Sequence, residues 1–327
     1  MADYINIRGQ NIEVVASDPA NPTLGQIWYN STSNTLKGGG VTTVGAWATG
    51  NNMNTARYNL TGVGIQTAAL AAGGELGPDT AATEEYDGNS WTNSNPLNTA
   101  RRNAAGAGTQ TAALAAGGAS PITGATEEYD GNSWTTSPGS LNTARYVLAG
   151  TGTQTAALAF GGYINPPIPT GLQSATEEYD GNSWTNSNNL NTVRYGLSGA
   201  GIQTAALAFG GYVATPTATG ATEEYNGTTW TNSNSLNTVR YYSGEAGIQT
   251  AALCFGGGAP GVTGATEEYD GISWTTTTSM NTARNSLGGA GTQTAALGFA
   301  GSIPPYVTTT EEWNGAGTPQ TKTITAS

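Results

Sequence analysis

The sequence predicts an all-β protein built from six copies of one small unit, and three repeated features support this prediction. The run Thr-Ala-Ala-Leu, two further residues and a glycine pair occurs five times, and a diverged sixth copy occupies residues 294–301. Each copy is followed by Thr-Glu-Glu and an aromatic residue, and then by Asp-Gly or Asn-Gly. The copies recur every 43 to 50 residues, measured between their tryptophans. Such a period is typical of small units that bury their faces only against one another. We find no helical periodicity in the chain.

Each unit is predicted to contain four strands. The first begins near a repeated arginine and is rich in small residues, as in Tyr146–Gly150 and Tyr195–Gly199. The second is the Thr-Ala-Ala-Leu run, which is apolar without alternation, as expected for a strand covered on both faces. The third contains Thr-Glu-Glu, and the fourth begins at a tryptophan. Asp-Gly and Asn-Gly tolerate positive φ, so they predict a hairpin between the third and fourth strands in all six units, from Asp87-Gly88 to Asn314-Gly315.

The arginines and tryptophans of the repeat predict how the ring closes. Six arginines recur, but only five tryptophans follow the Thr-Glu-Glu runs. Trp47 supplies the missing tryptophan, because it precedes Arg57 by 10 residues, which is the tryptophan–arginine spacing in four of the other five units. Val41–Gly50 is therefore predicted to be the outer strand of a blade whose other strands come from the C-terminal end, which removes the last open edge. The predicted fold is a six-bladed β-propeller of four-stranded antiparallel blades over residues 41–327, preceded by a short β-hairpin extension at residues 1–40. The repeated structural residues are Arg57, Arg101, Arg145, Arg194, Arg240, Arg284, Trp47, Trp91, Trp134, Trp184, Trp230 and Trp274.

The repeat resembles the kelch family. The order Asn-Thr-Ala-Arg, apolar strand, double glycine, Glu-Tyr-Asp and tryptophan matches the kelch pattern from about Val41 to Gly315. The last copy departs from it, since Ala300-Gly301 replaces the double glycine and Trp313 replaces the tyrosine. The resemblance implies a propeller of six or seven blades, and this chain has six units.

The segment Ala16–Gly40 resembles a different group of proteins. Its Ser-Asp-Pro-Ala-Asn-Pro and Gly-Gln-Ile-Trp-Tyr-Asn-Ser-Thr-Ser-Asn-Thr-Leu-Lys are similar to a short β-hairpin segment of bacteriophage tail-fibre and other virion proteins. This resemblance implies that residues 1–40 attach the chain to a virus particle.

Composition excludes several classes of protein. The net charge of −12 and the absence of any basic run argue against a nucleic-acid partner. We find neither a secretory signal nor an apolar stretch long enough for membrane insertion, so we expect a protein synthesised in the host cytoplasm. Cys254 lies in an apolar strand and is interpreted as a small buried residue.

The paired glutamates, Glu84-Glu85 through Glu311-Glu312, are the one abundant set of ionisable side chains. Adjacent strand residues point to opposite faces, so such a pair does not converge on one substrate, and six equivalent copies fit a structural role better than an active site. We expect one glutamate of each pair to bind a repeated arginine between neighbouring blades and the other to be solvated. The alternative is that the arginines ring the central channel and bind an anion.

No catalytic, metal or cofactor site is predicted. The sequence contains no histidine, which removes Ser-His-Asp and Cys-His catalysis and the common zinc and copper sites. There is also no spaced Asp-x-Asp-x-Asp loop for calcium.

The candidate binding residues lie in the segments between the double glycine and the next Thr-Glu-Glu. These segments differ in length and sequence while the framework hardly changes, and by symmetry all six emerge on one face. Several combine proline with an aromatic residue, which suits recognition of a glycan or a protein surface; neutral drift of tolerant loops is the open alternative. The candidates are Tyr163, Ile164, Asn165, Tyr212, Val213 and Tyr306.

Together these features predict a non-enzymatic virion protein, a phage tail, fibre or head-decoration component. Residues 1–40 would bind other virion proteins, several copies would assemble, and the variable face would meet a host glycan, a host protein or a neighbouring subunit. A bacterial adhesin or scaffold propeller outside a virion is the alternative, and a polysaccharide-active enzyme comes third. The tail Thr321–Ser327 alternates like a strand and could compete with Val41–Gly50 at the closing edge or add beside it.

Overall fold

The computed structural model describes residues 12–19, 25–41, 44–164, 171–214, 217–303, 306–317 and 319–324. Its regular secondary structure there consists of β-strands, as predicted. The chain divides into two compact units: Ala46–Asn314 form one, and Met1–Gly45 with Gly315–Ser327 form the other. These boundaries differ from the predicted 1–40 and 41–327.

The larger unit is a β-propeller of six blades, each a four-stranded antiparallel sheet. In blades 1 to 5 the strands run in chain order from the inner to the outer position, and in blade 6 the outer strand precedes the others in the chain. The bounds for blades 1 to 3 are Thr61–Ile65, Ala68–Ala72, Thr83–Tyr86 and Trp91–Ser94; Ala105–Thr109, Ala112–Ala116, Thr126–Tyr129 and Trp134–Thr136; Ala149–Thr153, Ala156–Phe160, Thr176–Tyr179 and Trp184–Ser187. Those for blades 4 to 6 are Ser198–Ile202, Ala205–Phe209, Thr222–Tyr225 and Trp230–Ser233; Gly244–Ile248, Ala251–Phe255, Thr266–Tyr269 and Trp274–Thr277; Gly288–Thr292, Ala295–Phe299, Thr310–Asn314 and Ala46–Gly50.

The N-terminal strand completes the last blade, as predicted. Ala46–Gly50 pairs antiparallel with Thr310–Asn314, so that Trp47 lies opposite Trp313. The strand begins at Ala46 rather than Val41, because Val41 belongs to a strand of the smaller unit. Each inner strand also contacts the inner strand of the next blade, and that of blade 6 contacts that of blade 1, so the ring is closed.

The inner strands begin about three residues later than predicted, at Ala149 and Ser198 rather than at Tyr146 and Tyr195. A residue with left-handed φ precedes each of them, and its N–H donates to the carbonyl of its counterpart in the preceding blade at 2.8–3.0 Å. These six backbone hydrogen bonds form a closed cycle at one end of the channel. A left-handed φ is strained for bulky residues such as Val147 and Tyr242, and the cycle holds them in it. Its members are Asn59, Asn103, Val147, Gly196, Tyr242 and Ser286.

The predicted hairpins form in blades 1 to 5. In blade 1 the carboxylate of Asp87 accepts the backbone N–H groups of Asn89 and Ser90 at 2.8 and 2.7 Å, and Gly88 has φ +90°. The prediction of a sixth hairpin at Asn314-Gly315 is wrong. Asn314 is still in a strand, opposite Ala46, because the outer strand of blade 6 comes from the other end of the chain.

The core lies between blades. Each apolar cluster combines side chains of two neighbouring blades, for example Leu114 of blade 2 with Trp184 of blade 3. The indole of each of the six repeated tryptophans donates to a threonine hydroxyl of the preceding blade at 2.9–3.0 Å; for Trp47 the acceptor is Thr266. A glutamine before each second strand donates to two carbonyls of the preceding blade, as Gln66 does to Ala296 and Trp313.

The smaller unit is a four-stranded sheet. Its strands are Glu13–Val15, Ile27–Asn30, Thr35–Val41 and Pro319–Thr323, in that order, with a parallel first pair and antiparallel pairs after it. The hairpin predicted in this segment is Ile27–Asn30 with Thr35–Val41. The C-terminal strand follows neither of the predicted alternatives, since it pairs with Thr35–Val41 and not at the closing edge of the ring.

A buried tryptophan and an ion pair stabilise this sheet. Trp28 is fully buried, and its indole donates to Asp18 at 3.1 Å. Lys37 binds the same carboxylate at 2.6 Å. The hydrogen bonds from Lys37, Asn30 and Trp28 lower the pKa of Asp18 to about 2.

Candidate ligand-binding face

The six repeated arginines lie in buried ion pairs and not on the channel. Each arginine is in the connection that enters a blade, and it binds the first glutamate of that blade's Glu-Glu pair; the Arg145–Glu177 distance is 2.5 Å. The same carboxylate also accepts backbone N–H groups of the connection, as Glu177 does from Asn142. Burial lowers the pKa of Arg194 to about 10 despite its partner Glu223. The pairs are Arg57–Glu84, Arg101–Glu127, Arg145–Glu177, Arg194–Glu223, Arg240–Glu267 and Arg284–Glu311.

The second glutamates are partly buried between blades, which differs from the solvated state we expected. Five of them accept the tyrosine hydroxyl of the next blade, and the Tyr179–Glu128 distance is 2.6 Å. Desolvation, with the nearby carboxylate, raises the pKa of Tyr179 to about 12. Blade 6 interrupts this series because Trp313 stands where the other blades have tyrosine. The pairs are Tyr86–Glu312, Tyr129–Glu85, Tyr179–Glu128, Tyr225–Glu178 and Tyr269–Glu224.

The variable segments lie beside the blade connections, as the symmetry argument predicts. The residue after each repeated arginine forms a β-bridge with the residue after the glycine pair, for example Tyr146 with Tyr163 and Tyr195 with Tyr212. We call the end of the propeller that carries these bridges the loop face.

The loop face carries a row of six tyrosine rings in continuous contact across blades 3 to 5, which we call the tyrosine row. Successive ring centroids lie 5.5, 5.8, 5.2, 4.0 and 5.7 Å apart. The rings of Tyr163 and Tyr195 are buried, whereas the other four rings are partly exposed. The row therefore presents aromatic surface to solvent. In order of contact the rings are Tyr146, Tyr163, Tyr195, Tyr212, Tyr241 and Tyr242.

Two of the predicted binding residues, Tyr163 and Tyr212, belong to this row. Ile164 is partly buried next to Tyr163, and its N–H donates to Gly171 at 2.9 Å. Val213 lies in a short hairpin formed by Tyr212–Ala214 and Thr217–Ala218. Asn165 lies outside the described residues.

The sequence analysis missed four members of the row: Tyr146, Tyr195, Tyr241 and Tyr242. A signal was present, since the residue after the repeated arginine is tyrosine in four of the six units. We had assigned Tyr146 and Tyr195 to the start of inner strands and had given Tyr241 and Tyr242 no role.

Tyr306, the remaining candidate, belongs to a separate polar cluster on the loop face. Its ring stacks on Tyr58 at 4.3 Å. Nearby, Arg102 binds Asp79 at 2.6 Å and Glu75 at 3.1 Å. Desolvation and the hydrogen bond to Glu75 raise the pKa of Tyr58. Because Arg102 already has two carboxylate partners, this cluster is not suited to binding an anion.

The described residues contain no group of three histidine, cysteine, aspartate or glutamate side chains placed to hold a metal ion. Nor does that part of the chain contain a helix with the length and apolar character needed to cross a membrane.

No protein-family model matches the chain, and no curated protein matches it. Among the solved structures that match is that of YjhT, with 12% sequence identity and a TM-score of 0.67. The match covers 80% of this chain and 95% of YjhT. At this identity the likeness concerns the fold alone. Together with the blades described above, it identifies the chain as a six-bladed β-propeller.

Proposed function

We propose that this protein is a non-enzymatic recognition propeller that binds a cell-surface glycan on its loop face, as a component of a virus particle. The tyrosine row is the observation that carries the proposal. It offers several partly exposed rings side by side on a β-sheet scaffold. A contiguous aromatic patch of this kind indicates a binding surface, whereas single scattered surface aromatics do not.

The chemistry of the row favours a carbohydrate. A tyrosine ring is an apolar plate with a polar hydroxyl at one end, and a sugar ring likewise combines an apolar C–H face with hydroxyl groups at its edge. The side chains of Asn59, Asn103 and Ser286, at the channel mouth on the same face, can supply further hydrogen bonds. A run of several linked sugars would match a row that extends over three blades.

The carboxylates of the repeat support a non-enzymatic role. The first glutamate of each pair is held in a buried ion pair, and five of the second glutamates accept a tyrosine hydroxyl. The first glutamates hold the blade connections in place and the second ones join neighbouring blades, and neither set is arranged around a shared substrate position.

The virus particle is proposed as the setting on the basis of the segment Ala16–Gly40. Its similarity to tail-fibre hairpins supports attachment through residues 1–40 to other virion proteins, with several copies per particle. A bacterial adhesin outside a virion remains the alternative setting for the same binding face.

The glycan proposal is tested by applying the purified full chain to an array of bacterial surface polysaccharides. We expect selective binding that Tyr241→Ala and Tyr212→Ala reduce at least tenfold. Tyr29→Ala, in the smaller unit, is the control and should bind as the parent does. Equal binding by all three variants, or binding only to a host protein, would refute glycan recognition by the row.

The setting is tested separately by producing the chain without residues 1–35 during infection. We expect this chain to be absent from purified particles. Normal incorporation would contradict attachment through the N-terminal segment, and display of the intact chain on an uninfected bacterial surface would favour the adhesin.

A further inference from the structure

The part of the loop face that carries the tyrosine row has no exposed charged side chain. In blades 3 to 5 the variable segments contain no lysine, arginine, aspartate or glutamate. The connections that enter these blades contain only the repeated arginines Arg145, Arg194 and Arg240, which are buried in their ion pairs. The rings of the row are therefore surrounded by threonine, asparagine, serine, proline and apolar residues.

The opposite end of the propeller, in contrast, is acidic. The turns between the third and fourth strands lie there, because strands alternate in direction, and in four blades an exposed aspartate begins the turn. Backbone N–H groups of the turn donate to each carboxylate, as Ser133 and Asn132 do to Asp130 at 2.7 and 2.9 Å, and lower its pKa. These carboxylates are ionised at neutral pH. They belong to Asp87, Asp130, Asp180 and Asp270.

Every arginine of the described propeller already has a carboxylate partner. Six form the buried pairs, and Arg102 binds both Asp79 and Glu75 in the polar cluster of the loop face. Arg8 lies outside the described residues, and both lysines belong to the smaller unit. Carboxylate, phosphate and sulfate groups are normally held by charge-assisted hydrogen bonds from arginine or lysine. The described residues of the tyrosine row and its surroundings offer an anionic ligand no such bond.

One further carboxyl group lies in the central channel. Glu245 is on the inner strand of blade 5, at a position where the other five blades have glycine, and it lines the channel cavity together with Tyr242 of the row. Burial raises the pKa of Glu245 to about 8. In its ionised form this group repels an anion that approaches the channel mouth.

The polar groups that the row and its surroundings offer to a ligand are neutral. Desolvation raises the pKa of Tyr146, Tyr212 and Tyr242, so their hydroxyl groups remain protonated and can both donate and accept hydrogen bonds. The amide side chains of Asn59 and Asn103 line the channel mouth. Such groups match the hydroxyl groups of an uncharged sugar, which can bind without the cost of removing a charge from water.

We propose that the glycan bound by the tyrosine row is an uncharged polysaccharide, and that the row discriminates against polysaccharides with carboxylate, phosphate or sulfate groups. This inference rests on the proposed function and adds the class of sugar. The local distribution of charge carries it, because the row lies in an uncharged part of the loop face and the arginines are engaged elsewhere. The net charge of −12 adds a long-range repulsion of polyanions.

The test applies the full chain to an array of neutral and acidic bacterial polysaccharides of known composition, and we expect binding only to neutral ones. The neutral polysaccharide that binds most tightly is then oxidised at part of its primary hydroxyl groups, which become carboxylates. We expect this oxidised probe to bind at least tenfold more weakly, and its methyl ester, the uncharged control, to bind as the unmodified probe does. Affinity for the unmodified probe should change less than twofold between 50 and 500 mM NaCl, because salt screens only charges.

Two lysine substitutions separate the effect of local charge from that of net charge. Thr217→Lys places a cation on the exposed hairpin that begins at Tyr212, and Thr228→Lys makes the same change in net charge in an exposed turn at the opposite end. We expect Thr217→Lys to raise affinity for the oxidised probe at least threefold and Thr228→Lys to leave it unchanged.

The outcomes separate this inference from the proposed function. Equal affinity for the oxidised and unmodified probes, selective binding of acidic polysaccharides, or equal effects of the two lysines would overturn the inference and leave glycan recognition intact. Failure to bind any polysaccharide would refute the proposed function, and the inference with it.

Discussion

Two consecutive arginines allow the buried ion pairs of the repeat to be tested against a matched control. Arg101 is 3% exposed, binds Glu127 at 2.5 Å and donates to the carbonyls of Gly117 and Ala125 at 3.1 and 2.9 Å. Arg102 is 30% exposed and binds two carboxylates near the surface. The perturbation is Arg101→Met or Arg102→Met, each of which removes one guanidinium and keeps an aliphatic side chain.

The expected cost differs because of what each variant leaves behind. Without Arg101, the carboxylate of Glu127 stays buried with only the backbone N–H groups of Asn98 and Thr99 as partners. Removing one partner of a buried pair typically costs about 3–5 kcal/mol. Without Arg102, water can solvate the freed carboxylates, and exposed pairs contribute about 0–1 kcal/mol. We therefore expect Arg101→Met to lower the free energy of unfolding by about 3 kcal/mol more than Arg102→Met does.

The assay is urea unfolding monitored by tryptophan fluorescence, with the m-value checked in each variant. The double variant Arg101→Met with Glu127→Gln should recover part of the loss, because it removes the unpaired charge and keeps an acceptor for the backbone N–H groups. Equal losses in the two single variants, or no recovery in the double variant, would refute the view that an uncompensated buried charge determines the cost.

Three further results are expected. Trp47→Ala and Trp91→Ala should each cost about 3–5 kcal/mol in urea unfolding, and a much smaller loss for Trp47 would mean that the closing strand frays. Tyr225→Phe removes a hydroxyl that donates to the carboxylate of Glu178 and should cost about 1.5–3 kcal/mol; an unchanged Tm would contradict this. Burial raises the pKa of Glu245 to about 8 from the usual carboxyl value of 4.5, so the protonated form is favoured in the folded state. Stability should therefore fall as the pH rises from 4.5 to 8 and stay level above it, whereas Glu245→Gln should lack this component of the pH profile.

The architecture was predictable because each unit repeats its offsets. Trp47 precedes Arg57 by the spacing found in the complete units, and that offset alone placed the N-terminal strand in the last blade, opposite Trp313. The errors at the two chain ends have one cause. The repeat stops at Asn314, and a repeated pattern cannot indicate where the residues beyond it pair. The tail Thr321–Ser327 was therefore expected at the closing edge of the ring, whereas the strand Pro319–Thr323 pairs with Thr35–Val41.

The candidate site was predictable only in part, because its contacts join distant residues. The variability of the segments after the glycine pairs pointed to Tyr163 and Tyr212. Their ring neighbours follow the repeated arginines, and a single left-handed residue after Tyr146 turns the chain before the inner strand begins. A one-dimensional pattern of small and apolar residues does not mark that turn.

The amino-acid sequence by itself determined the all-β class, the number of blades and the way the ring closes, because these depend on periodicity and on residue types that act within one unit. Tertiary structure alone decided which side chains meet across blades: the tyrosine row, the hydroxyl partners of the second glutamates, and the isolated carboxyl group of Glu245 in the channel. Such contacts arise when six similar units are placed around one axis. The curvature of the ring, which no single unit encodes, then sets which neighbours come within reach.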